Sequence, residues 1–381
     1  MGLSSKKPAA ASKANLVLER RRAHNGSHRL DIENVKGAEW QSWPRKRRET
    51  FVSQAVRYWR RKGFPYYVLS RKEVRRELEW LKAYDYENVF AGDEILSSSL
   101  GLRLANNFHP QMWHVRCTRY RSPFETFSDD QKLARAIHRA LNIWGDRCGA
   151  NGSCLRRMLK SFSNTVGVSN FRPTVAAGII QRYTPPHGRI LDFSAGYGGR
   201  LLGAHTTGRS YYGIDPSPSQ VRGLRRMAAA CRREAAPAPP LAIHRAAAET
   251  ALPLLRARSF DLVFSSPPYF DREKYGSERE QSCVRYSTLE EWREGFMRTV
   301  IEQSARLLVA DGYLVLNVAE RPDSIAQMAL EIARPLFVLK KTWRMRLANL
   351  PYKRLTYADV YKWEPVLVFK KRVDRTRSTT K

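Results

Sequence analysis

Long apolar stretches are missing from this chain of 381 residues: no run approaches 18 apolar residues, which argues against a membrane-crossing helix. The opening, MGLSSKKPAAASKAN, lacks the apolar segment of a secretory signal, and Lys6 stands where a myristoylation pattern carries Ser or Thr. Cysteine is scarce. The five, Cys117, Cys148, Cys154, Cys231 and Cys283, form no CxxC pair and no compact set with histidine. Cys148 and Cys154, six apart in GDRCGANGSC, have no neighbours to complete a zinc site, so no metal is expected. Free thiols imply a reducing compartment, and the expected location is intracellular, cytoplasmic or nucleoid-associated. Acids are few as well: 36 Asp and Glu against 67 Lys and Arg give a formal charge of +31. That excess is beyond what solubility requires and implies attraction to a polyanion.

The basic residues concentrate between 41 and 80, where 12 Lys and Arg accompany 4 acids and Trp43, Tyr58, Trp59, Tyr66, Tyr67 and Trp80 lie among them. Phosphate attraction with planar stacking groups suits nucleic acid better than an anionic membrane, although the same aromatics would also serve as an ordinary core. Arg45, Lys46, Arg47 and Arg48, with the clusters at 57–62 and 71–76, are candidate contacts to phosphate and base edges.

Four segments are expected. Residues 1–30 read as a flexible basic tail, 31–165 as a basic, mostly helical nucleic-acid recognition domain, 166–372 as an α/β domain, and 373–381 as a second basic tail. Helices are predicted at 49–61, at 70–83 with Ser70 capping and Glu73 three residues on, and at 129–144. Beyond Ser169 short apolar runs at 190–193, 211–214, 241–244, 260–265 and 313–318 alternate with helical segments, the rhythm of a doubly wound, mostly parallel sheet. Leu289, Trp292, Phe296, Val300 and Leu307 share one helical face, and runs at 335–340 and 364–370 read as two further strands, the last antiparallel to its neighbour.

Two motifs carry the chemistry. In RILDFSAGYGGR an apolar strand ending at Asp192 enters the turn Ser194-Ala195-Gly196-Tyr197-Gly198, bringing backbone close to a ligand at the carboxyl edge of a sheet, and Asp192, Ser194, Ala195, Gly196 and Gly198 are candidate cofactor contacts. Asp215, at the end of the next strand, is placed to accept ribose hydroxyls, whether from a dinucleotide or from S-adenosylmethionine; capping the following helix is its bland alternative. In FDLVFSSPPYF a buried strand runs into Ser266-Pro267-Pro268-Tyr269. Two prolines remove two backbone donors, leaving acceptor oxygens that suit an amine, and Tyr269 offers a stacking face.

FSAGYGGR and GIDPS resemble the first two cofactor motifs of S-adenosylmethionine-dependent methyltransferases, and SSPPY resembles the catalytic motif of the DNA amino-methyltransferases acting on cytosine N4 or adenine N6. The resemblance covers about 166–372 and implies the seven-stranded methyltransferase sheet, S-adenosylmethionine as cofactor and DNA as substrate. Gly196 and Gly198 would hold the methionine part, Asp215 the ribose, and Phe171, ahead of Pro173, would pack beside the cofactor. After the third strand the family's acid is replaced by AAAET, so Ala247 stands in its place and Glu249 is the remaining candidate for adenine. Ser266, where the adenine branch more often has Asp or Asn, favours cytosine N4. A carbon-5 enzyme would need a cysteine in this corner, and none is there. Arg272, Lys274 and Arg285, in the charged stretch after Phe270, are candidate substrate contacts, and Glu364 reads as structural. RNA is the alternative polymer, a non-catalytic nucleic-acid-binding protein the alternative class, and the resemblance leaves room for a restriction or DNA-processing partner.

Overall fold

The computed structural model describes residues 31–372 apart from 97, 118–119, 144–148, 162–163, 236–237, 271–272, 320–324 and 348–362. Both expected tails and Arg272 lie outside the described residues.

The N-terminal part is built on four longer helices, α1 (Arg45–Lys62), α2 (Arg71–Ala83), α3 (Asp130–Ile143) and α4 (Gly152–Ser161), with three two-residue strands, β1 (Phe90–Ala91), β2 (Glu94–Ile95) and β3 (Arg116–Cys117). The capping box that starts α2 is present: Ser70 accepts from the Glu73 N–H while Glu73 accepts from the Ser70 N–H. Most of the aromatics interleaved with the basic clusters turn inward. Trp40, Trp43, Phe51, Trp59, Phe64 and Trp113 form a buried core with α3 and α4, and Tyr58, Tyr66 and Tyr67 pack against it. Buried indoles need partners, and the Trp40 and Trp59 N–H groups donate to Asn142 Oδ1 and the Ala150 carbonyl. Of the six aromatics flagged for stacking, Trp80 is exposed, with Arg76 over its ring at 5.0 Å.

From Pro173 the expected alternation holds: α5 (Pro173–Tyr183), β4 (Arg189–Asp192), α6 (Gly199–Thr206), β5 (Ser210–Asp215), α7 (Pro218–Glu234), β6 (Leu241–Arg245), β7 (Phe260–Ser265), β8 (Glu273–Lys274), α8 (Thr299–Leu307), β9 (Leu308–Asn317), α9 (Ile325–Ala333), β10 (Phe337–Arg346) and β11 (Trp363–Lys371). The sheet order is β1-β2-β10-β11-β9-β7-β4-β5-β6. Strands β6, β5, β4, β7 and β9 are parallel, whereas β11 runs antiparallel to β9 and to β10. The seven strands expected are therefore there, and two short ones from the N-terminal part lengthen the edge to nine, because β2 pairs with β10 at Glu94 and Ile95.

That pairing is matched by shared packing: Val74, Leu78 and Leu81 of α2, with Ile95 and Leu104, are buried in one cluster with Ile190, Leu224 and Val366 of the sheet half. The helical segment begun at Leu289 buries Trp292, Phe296, Val300 and Leu307 and leaves Leu289 half-buried, and it includes a π-helical stretch, Arg293–Arg298, of the kind that often marks a functional site.

Among the described residues no helix is long and apolar enough to cross a membrane, and no group of three His, Cys, Asp or Glu could hold a metal. Cys117, Cys231 and Cys283 are in no disulfide, but Cys154 is disulfide-bonded. The expectation that all five thiols are free is thereby corrected, and with it the argument for a reducing compartment.

Candidate active site

Strand β4 has β5 on one side and β7 on the other, so the chain leaves the sheet in opposite directions from it and opens a crevice at the carboxyl ends. A cavity of about 1070 Å³ fills this place. Ser194, Ala195, Gly196, Asp215, Glu249, Phe171 and the whole of Ser266-Pro267-Pro268-Tyr269 line it together. The two motifs singled out by sequence thus open into one space.

Asp192 lies behind that wall. Its carboxylate is fully buried and accepts from Arg200 Nε (2.7 Å), the Tyr211 hydroxyl (2.7 Å), the Ser265 hydroxyl (2.9 Å) and the Ser194 N–H (3.3 Å). A buried charge must be paired, and here the pairing ties Asp192 and Ser265, at the ends of β4 and β7, to Tyr211 of β5 at one point. Burial opposes the Arg200 charge, yet the carboxylate raises the pKa of the guanidinium above its ordinary value. Arg200 also donates to the Ser194 carbonyl and lies over the Phe171 ring at 5.3 Å, so it holds the turn and one wall of the cavity.

Gly196 and Gly198 have positive φ, 54° and 80°. A Cβ on Gly196 would meet only the Ser194 carbonyl, at 3.7 Å, in otherwise open space. One on Gly198 would strike Met227 at 2.8 Å, so this glycine lets α7 pack closely and does not line the cavity.

Asp215 accepts from the Gly196 N–H (2.9 Å) and the Ser217 N–H (2.9 Å). Burial nevertheless lifts its pKa to about 7, with Asp192 and Glu278 adding to the rise and the two backbone donors opposing it. Glu249 lines the cavity while accepting from Arg285 (3.1 Å) and the Tyr286 hydroxyl (3.4 Å). Arg285 is therefore seated on Glu249.

At the other end Pro267 is buried and Phe270, with φ of 51°, turns the chain sharply after the corner. The Tyr269 hydroxyl donates to Glu364 Oε2 (3.1 Å), which also accepts from Asn317 Nδ2 (3.2 Å). Glu364 corrects its purely structural reading. Because β11 runs antiparallel, its first residues lie at the carboxyl edge of the parallel strands, opposite Met345 and close to Asn317, and Glu364 lines the cavity.

The backbone of Lys274 pairs with Arg116 of β3, which brings the segment after the corner to the helical part. Arg45, Lys46, Arg47 and Arg48 do not line the cavity; they open α1, where Arg45 pairs with Glu49, Arg47 lies over Trp43 at 4.2 Å, and Arg48 donates to the Trp43 carbonyl. Sequence reasoning also missed Tyr120, Arg157 and Lys160, which the helical part contributes to the same cavity.

No protein-family model matches the chain, and no curated protein does. Among solved structures, similar ones include TrmN from Thermus thermophilus, 14% identical with a TM-score of 0.39 and 80% of each chain covered. Others are a TehB-like SAM-dependent methyltransferase from Corynebacterium glutamicum, 18% identical over 54% of this chain and 90% of that one with a TM-score of 0.33, and PH0851, 15% identical with a TM-score of 0.39 over 54% of this chain. The chain spans 46% of the length of PH0851. Likenesses this distant leave the chemistry to be read from this chain's own residues.

Proposed function

We propose that the chain transfers a methyl group from S-adenosylmethionine to the exocyclic amino group of a nucleobase in a polynucleotide, cytosine N4 ahead of adenine N6. The observation that carries this reading is the single cavity shared by Gly196, Asp215 and the Ser266–Tyr269 corner. Residues that fit the cofactor are a buried carboxylate for its ribose (Asp215), an open glycine turn (Gly196) and the Phe171 ring. When bound there, S-adenosylmethionine supplies a methyl group on a positively charged sulfur.

The chain's own part is to bind and orient the amine. The nitrogen of such an amine is a poor nucleophile, since its lone pair is spread into the ring. Acceptance of its two hydrogens by the Pro267 carbonyl and the Ser266 hydroxyl turns that lone pair out of the ring plane, positioning supplies most of the gain, and the methylated nitrogen then releases one of those hydrogens as a proton to solvent. Pro267 and Pro268 offer no N–H to compete for it. Tyr269 stacks on the ring, with Glu364 fixing its hydroxyl.

DNA is the polymer the corner suggests first. Structured RNA is a second reading, favoured by the place of the corner inside a cavity: a base in a single-stranded loop enters it without paying to leave a stack. Incubation with methyl-labelled cofactor and duplex DNA, single-stranded DNA or structured RNA separates them. Label in DNA supports the first reading, label in RNA alone moves the substrate to the second, and binding without label in any polymer overturns catalysis.

Asp215 adds a pH signature. Its raised pKa leaves it partly protonated in the empty protein near neutrality. Ribose hydroxyls donate to the ionised form, so cofactor binding expels a proton and should weaken by about tenfold per pH unit below 7. For the empty protein the sign is opposite: this group's contribution to stability is present below pH 4 and is lost as pH rises through 7. Calorimetric titration in buffers of different ionisation enthalpy reads the released proton; cofactor affinity flat from pH 5.5 to about 8 would contradict the role given to Asp215.

A further inference from the structure

Apart from Arg172, which donates to the Ser98 carbonyl, and Arg200, the charges that line the cavity are sorted by the half of the chain that supplies them. Asp215, Glu249 and Glu364 stand on the floor, at the ends of β5, just after β6 and at the start of β11, and Glu280 joins them from the segment beside Asp215. The Arg200 charge on that floor is matched by Asp192. Arg157 and Lys160 come from the helical part, on α4. They are three residues apart and so share a helix face, while Leu155, Met158 and Leu159 are buried in the aromatic core and fix the helix's rotation.

The wall is a built one. Gly167 donates its N–H to the Lys160 carbonyl (2.9 Å), and a Cβ at Gly167 would meet Lys160 Cγ at 2.6 Å, so the lysine stem lies directly across this glycine. Lys160 Nζ donates to the Ser169 hydroxyl (3.4 Å). Arg121 and Val166 bracket the same wall through Arg121 N–H to Asn164 carbonyl (3.2 Å) and Val166 N–H to Arg121 carbonyl (3.4 Å), and Tyr120 lines the cavity beside them. Strand β3, just ahead, pairs with β8, which follows the Ser266–Tyr269 corner.

We propose that Arg157 and Lys160 form a phosphate subsite that holds the backbone of the target nucleotide while its base occupies the corner below, with Tyr120 against the sugar or a neighbouring base. The inference rests on the nucleobase reading above and sharpens it: the substrate is a phosphate-bearing nucleotide in a polymer, gripped by the helical part. The acid-lined floor suits a cofactor carrying ammonium and sulfonium groups, and the basic wall suits a phosphodiester. The clusters at 45–48 are left to flanking phosphates.

The test is equilibrium binding of a fluorescent single-stranded oligonucleotide, which needs no turnover and so separates this proposal from the methyl-transfer reading. Arg157→Gln with Lys160→Gln should weaken binding by about 10–100-fold and lower the slope of log K against log salt by about two. Cofactor affinity and the melting temperature should stay at wild-type values, and Arg157→Lys should recover part of the loss. Lys46→Gln with Arg47→Gln removes the same charge outside the cavity and should cost less. The proposal is overturned if the wild-type protein binds no oligonucleotide, or if the cavity pair weakens binding no more than the 46 and 47 pair does.

Discussion

Replacing Arg200 by methionine should cost the fold about 3–5 kcal/mol, the usual penalty for leaving one partner of a buried ion pair behind. Methionine keeps most of the bulk, so the loss falls on Asp192, which would remain inside with three neutral donors and no counter-charge. Both side chains are almost wholly buried, which leaves solvent little room to compensate. The same substitution frees the Ser194 carbonyl and uncovers Phe171, so cofactor affinity should fall in the fraction that still folds. Urea unfolding measures the first effect. The double variant Arg200→Met with Asp192→Asn should recover part of the stability, because it removes the stranded charge. A single variant that unfolds at the wild-type urea concentration would show that the pair does not hold the strand ends together.

Replacing Tyr269 by alanine should lower kcat/KM by about 10–100-fold, from the roughly 1–3 kcal/mol that stacking on an unpaired base provides. Cofactor affinity should change by less than about twofold, since Asp215 and the glycine turn are untouched. Tyr269→Phe keeps the ring and loses only the hydrogen bond to Glu364, a loss of about 0.5–1.5 kcal/mol. The order wild type, Phe, Ala is the expected result. Equal rates for all three would remove Tyr269 from substrate binding, and a matching loss of cofactor affinity would place it on the wrong side of the cavity.

The parts legible in sequence were those whose meaning is local. Strand β4 with its glycine turn, β5 with its terminal acid, and β7 with its proline corner each declare themselves in a dozen residues, and a parallel sheet then has to bring their carboxyl ends together. Glu364 was legible as the start of an antiparallel last strand but not as a cavity residue, because only the insertion of β11 between β10 and β9 sets it beside Asn317 and Tyr269. Tyr120, Arg157 and Lys160 were not legible either: a helix far upstream must first pack its aromatic core before its polar face can meet the corner.

Two local readings misled for the same reason. Asp192 looks like a ligand contact, yet the sheet turns it inward on Arg200, and the aromatics between basic clusters look like stacking groups, yet Trp43 and Trp59 are core. Composition reports which groups a segment holds, and burial decides what they face. The excess of positive charge survives as surface, with Arg45 almost fully exposed at the start of α1.

The central claim is that an amine is methylated at the end of β7, and the position of the transferred methyl tests it most directly. Nucleic acid treated with the protein and labelled S-adenosylmethionine is digested to nucleosides and the label is located by mass spectrometry. The account predicts label on an exocyclic nitrogen, N4 of cytosine first and N6 of adenine second, and about 10–100-fold less of it in the Tyr269→Ala protein at matched early times. Label on a ring carbon or a ribose oxygen, or transfer to no nucleoside, would contradict it.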